Sequence, residues 1–128
     1  MQDSLLQLQS SAAATASANS TGVQLGTIGG LDGRFVARVI YSAATNASGS
    51  NTVQFSIDHS DDNSTWYPLT SSATTIAEVI TLSTTAQAGQ TDLPVRTQKP
   101  YVRLVTTVSG AGSTPTITRE AYIVQTRP

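Results

Sequence analysis

A chain of 128 residues is long enough for one domain that buries about two thirds of the surface its extended form exposes. With no cysteine, disulfides and thiolate metal sites are excluded, and the redox compartment stays open. The 7 Lys and Arg against 8 Asp and Glu give a net charge of -1, which removes the electrostatic basis for binding nucleic acid or an anionic membrane.

In chain order, residues 1–21 carry no clear period. The run SSAAATASANST is too rich in small residues to bury much apolar area per residue ordered. They read as an extended N-terminal arm, either frayed or ordering against a neighbouring subunit, with residues 22–128 as a β-sandwich domain. Asp3 stands where a secretion signal carries basic charge, and Leu5, Leu6 and Leu8 are too few for its apolar core, so no secretion signal is expected. No convincing amphipathic helix is expected, since nothing outside residues 4–14 offers an i, i+3, i+4 apolar pattern.

Val23 to Ile28 reads as a short strand, and Gly29 to Gly33 as a turn. Arg34 to Thr45 alternates Phe35, Ala37, Val39 and Tyr41 against Val36, Arg38 and Ile40, apolar on both faces, as in a central strand. From Thr52, the alternation of Val53, Phe55 and Ile57 with polar neighbours puts three large side chains on one core face. Asp61, Asp62 and Asn63 form a turn through side chains that bond nearby N–H groups. Thr65 to Leu69 returns as the second strand of a hairpin, with Trp66, the single tryptophan, as its buried anchor beside Phe55 and Ile57. Trp66 and Leu69 share a face only through a bulge, for which Pro68 is the place.

Glu78 to Thr84 reads as the next strand and Ala86 to Leu93 as a loop, with Pro94 restricting any pairing there to an edge. Tyr101 to Val108 sets Val102, Leu104 and Val108 against Tyr101, Arg103 and Val105. Its Arg103 is expected to lie partly exposed with its stem over apolar surface and its guanidinium on a carboxylate. Thr116 to Gln125 places Ile117, Ala121 and Ile123 on one face. Strands recurring about every ten residues, with turn signals between them, argue for an all-β fold, an antiparallel jelly-roll-like β-sandwich.

Little in the chain suggests catalysis. The single histidine, His59, neighbours Asp58, but adjacent strand residues point to opposite faces, so the pair is no triad. Asp61 and Asp62 are adjacent rather than facing across a cleft, as glycosidase chemistry requires. With Asp58 and Asn63 they do not match the spacing of a calcium loop, and a turn is the simpler role. Gly26 to Gly30 lacks the Lys and the helix of a phosphate loop. Asn19, Asn46 and Asn63 each begin an Asn-X-Ser/Thr triplet, read as accidents of a Ser/Thr-rich composition. Charged residues make up 12% of the chain, about half the usual share. Two routes lead to such a neutral, hydroxyl-rich surface: a permanent assembly, or an exposed, sugar-facing module.

The phrase FSIDHSDDNSTWYPL, followed by KPYVRLVTTVSG, resembles the hairpin and Pro-Tyr-Val-Arg strand of small β-sandwich head decoration, or cement, proteins of tailed bacteriophages. Discoidin-like carbohydrate-binding modules are similar too. This chain departs from them at Asn63, where they usually have Gly, and lacks their cysteine pair. The phage resemblance implies a homotrimer on the capsid exterior that bridges major capsid proteins. Such a virion protein is made in the bacterial host cytoplasm and is no enzyme. It has no cofactor or metal, and neither nucleic acid nor membrane as partner. Tyr101 and Arg103 are the candidate interface residues. The alternative is a carbohydrate- or receptor-binding module, such as one of a phage tail or fibre, with Trp66 exposed to stack on a sugar.

Overall fold

The structure, a computed structural model, describes residues 7–24, 31–71, 74–97 and 99–125. Twelve strands follow in order: β1 (Gln7–Ala14), β2 (Ala18–Asn19), β3 (Val23–Gln24), β4 (Leu31–Thr45), β5 (Asn51–Ser60), β6 (Tyr67–Pro68), β7 (Thr70–Ser71), β8 (Thr74–Thr75), β9 (Ala77–Thr81), β10 (Gln87–Thr97), β11 (Tyr101–Gly110) and β12 (Thr116–Gln125). Among the described residues no helix is long and apolar enough to cross a membrane.

One sheet is 4-stranded, in the order β1-β12-β4-β10. The other centres on β11 and β5, with β2 and β3 on the far side of β11 and β6 and β9 on the far side of β5. Each of its edges is thus a broken strand, and β7 and β8 form a small excursion between β6 and β9. The antiparallel pairs β1–β12, β2/β3–β11, β4–β10 and β5–β9 nest inside one another along the chain. That nesting is the jelly-roll arrangement.

Alternation supplies the core. Ala37 and Val39 of β4, Leu93 and Val95 of β10, and Ile117, Ala121 and Ile123 of β12 face Val53, Phe55 and Ile57 of β5 and Val102 and Leu104 of β11 in one cluster. β4 lies between β12 and β10, the central place expected from its two apolar faces. Pro94 lies on the edge strand β10, where its missing N–H leaves no ladder partner unbonded.

Several expectations are corrected. Of the arm expected over residues 1–21, the described part, residues 7–21, does not stand apart from the sandwich: β1 pairs along β12, β2 pairs with β11, and Leu8 and Ala14 are in the core. Residues Gln7–Ala14 form a strand, in which the edge of β12 satisfies the backbone groups. Residues 1–6 and 25–30, with most of the expected strand to Ile28 and the Gly29-Gly30 part of the expected turn, lie outside the described residues, while Leu31 to Gly33 of that turn belong to β4, paired with β10. The expected loop from Ala86 to Leu93 is most of β10, paired with β4 from Gln87↔Ala44 to Thr97↔Leu31. The strand expected from Glu78 to Thr84 ends at Thr81; Ile80 and Leu82 turn inward, and Val79 is 52% exposed.

Candidate functional site

The turn after β5 is built from short polar side chains. The Ser60 hydroxyl accepts the N–H of Asp62 at 3.2 Å and of Asn63 at 3.0 Å, and donates to Asp62 Oδ1 at 3.0 Å. That same Oδ1 accepts the N–H of Ser64 and of Thr65, each at 2.9 Å. The Thr65 N–H first, then that of Ser64 and the Ser60 hydroxyl, hold the Asp62 carboxyl below its usual range. Asn63 has φ 59°, a left-handed conformation that Asn tolerates better than most residues. Asp61 instead reaches across the sandwich end to Lys99, 2.8 Å away.

Trp66 is not a core anchor. Phe55 and Ile57 are fully buried, and Leu69 is the residue of the return segment that fills the core, while Trp66 is half-buried. The reason is parity: β6 pairs Tyr67 and Pro68 with His59 and Asp58, and Leu69 then bonds back to Ile57 through its N–H at 2.8 Å. Trp66 therefore lies on the outer face, where Arg103 stacks 4.4 Å from the ring centroid. Gly22 borders the ring edge so closely that a Cβ there would come within 2.8 Å of Cη2.

Arg103 also donates through Nε at 3.1 Å and Nη2 at 2.9 Å to Oδ2 of Asp58, its cross-strand partner. The expected partly exposed arginine with a carboxylate partner is present, with an indole added. Half-buried Tyr101 shares the outward parity of Arg103, whereas Tyr67, 51% exposed and with Lys99 Nζ 5.5 Å from its ring centroid, pairs with His59 and so takes the opposite parity. Trp66, Tyr101 and Arg103 thus lie on one outer face, and Tyr67 with Lys99 forms a second, separate aromatic and cationic pair; the carboxylates beside them, Asp58 and Asp61, are already engaged. Lys99 and Tyr67 were not singled out in the sequence, because Lys99 lies in the connection between β10 and β11 and Tyr67 in the two-residue β6, both too short for alternation to carry information.

His59 and Asp58 point apart, as alternation requires. The His59 Nδ1 lies 2.6 Å from the hydroxyl of Thr97, which also accepts the Lys99 N–H at 3.0 Å. Burial, then the charge of Lys99, lowers the imidazole pKa below 6.5, more than Asp58 and Asp61 raise it. Asn46 is buried, donating at 3.0 Å to Asn51 Oδ1, so its Asn-X-Ser triplet is a structural pair rather than an exposed acceptor. Among the described residues no three His, Asp or Glu side chains gather where they would hold a metal ion.

Sequence reading missed Arg119. It shares the inward parity of Ile117, Ala121 and Ile123 and is 5% exposed, a signal that strict alternation already contained. Nε donates to Thr106 Oγ1 at 3.2 Å, Nη1 to the Ala12 carbonyl at 2.8 Å and Nη2 to Gln9 Oε1 at 3.5 Å. Burial works against its charge and lowers its pKa. Comparison with known proteins finds no matching family model and no curated protein similar in sequence.

Proposed function

We propose that this chain is a non-enzymatic virion protein, a decoration or cement protein that binds the outside of an assembled phage capsid as a homotrimer and stabilises it. The observation that carries this reading is that the described carboxylates are spent on the fold itself. Asp92 pairs with Arg38, Asp61 with Lys99 and Asp58 with Arg103. Asp62 holds its turn, Glu78 accepts from Thr91 at 3.4 Å, and Glu120 accepts from Tyr122 at 3.1 Å. What is left facing outward is rich in hydroxyls and small groups, which a partner covers at low desolvation cost.

The resemblance of the hairpin and of the Tyr101 strand to phage decoration proteins supplies the partner, the major capsid protein, and the place, the capsid exterior. The Trp66, Tyr101 and Arg103 surface has the residue types that anchor protein interfaces. A small subunit gains little from each contact, but a trimer engages its second and third sites at high effective concentration. The test adds purified protein to phage heads lacking it and follows heat-induced DNA release. Release shifted to higher temperature supports the reading, whereas an unchanged release temperature together with selective glycan binding replaces it with the carbohydrate-binding alternative.

A further inference from the structure

We infer that the cleft between the two halves of the N-terminal segment is a binding site for a carboxylate, with the Arg119 guanidinium as its anchor. The inference is independent of the capsid reading. The cleft has a volume of about 450 Å³, with residues 7–10, 12 and 13 on one side, residues 19–23 on the other and Arg119 between them. Its walls are fixed in advance. β1 is paired to β12, and Ser20 exchanges bonds with Leu104, its N–H donating to the Leu104 carbonyl at 2.9 Å and its hydroxyl accepting the Leu104 N–H at 2.8 Å.

Among the described residues Arg119 is the one charged residue lining the cleft, and its described acceptors are all neutral. A guanidinium carries five N–H groups. One hydroxyl, one carbonyl and one amide oxygen, the last at the 3.5 Å limit, leave the others without a described acceptor. No described carboxylate pairs with it, although a buried cation is strongly disfavoured without a counter-charge. The planar fork fits a carboxylate in two parallel bonds. A carboxylate is also the charge that matches: one cation neutralises one carboxylate, whereas a phosphate of charge about -1.5 to -2 would leave the cleft negative. Amide and hydroxyl groups of Gln9, Ser10, Asn19 and Thr21 surround the same space.

The experiment titrates the free protein with N-acetylglutamate α-methylamide, its neutral glutamine counterpart, and inorganic phosphate, all at matched ionic strength. The readouts are the melting temperature and the NMR signal of the Arg119 Nε–H. Saturable stabilisation by the carboxylate, with a shift of that signal and binding at least about tenfold tighter than the amide, is the expected result. Gln9→Glu places a carboxylate on the guanidinium from within. It should raise the melting temperature without any probe and abolish the response to it. Equal responses to carboxylate and amide, preference for phosphate, or a response unchanged in Gln9→Glu would overturn the assignment. Arg119→Lys keeps the charge but not the fork, and should weaken carboxylate binding at least about tenfold. Should that variant fail to fold, Gln9→Glu decides alone.

Discussion

Arg103 holds two partners at once, the Asp58 carboxylate and the Trp66 ring, and both are only partly covered by the fold. A double-mutant cycle of Arg103→Ala with Asp58→Ala, read by denaturant melts, should give a coupling of about 1–2 kcal/mol, above that of an exposed pair. No coupling would mean that the stacked ring alone fixes the arginine. Trp66→Ala should cost about 1–3 kcal/mol, for partial burial and a cation–π contact. Leu69→Ala, inside the core, should cost more, about 2–5 kcal/mol. The reverse order would contradict the outward placement of the indole. His59 sets a pH dependence. Its folded pKa lies below the ordinary 6.5, so as pH falls the unfolded chain takes up the proton first. Its contribution is whole above 6.5 and is lost as pH drops through the folded value. Melts between pH 7 and 5 should show this loss and His59→Gln should remove it; an equally steep fall in the variant would assign it elsewhere.

At the scale of elements, the strands with strict alternation and large side chains, β4, β5, β11 and β12, were legible, along with the polar turn at Asp62. Those built from small or polar residues were not. β10 reads QAGQTDLPVRT, whose first half offers no apolar side chain larger than alanine; its pairing comes from backbone bonds to β4, and only Leu93 and Val95 fill the core. β1 is hidden for the same reason, since after Leu8 it has no apolar side chain larger than alanine. The site was half legible: alternation placed Arg103 outward and carried the signal for Arg119, but Trp66 follows a turn whose length sets its face. β1 makes a sharp prediction. Removing residues 1–14 takes away Leu8 and Ala14 and bares the edge of β12, so the truncated chain should melt well below the full one and expose apolar surface to a dye. An unchanged melting temperature would return the segment to the status of a loose arm. Leu93→Ala should cost about 2–5 kcal/mol, against nearly nothing for a residue in a loop.

For the whole molecule, the jelly roll leaves a surface whose described carboxylates are engaged and one outer face carrying Trp66, Tyr101 and Arg103. In the account proposed, that face meets a shell, and the geometry between neighbouring capsid subunits selects assembled over free partners. Affinity should then depend on assembly, because a site shared between subunits does not exist on one of them. The most direct measurement is co-sedimentation of the purified protein with undecorated heads and, separately, with unassembled major capsid protein at the same subunit concentration. The account predicts saturable binding to heads, in multiples of three copies per site, and little to the free subunit. Equal binding to both, or binding to neither, would contradict it.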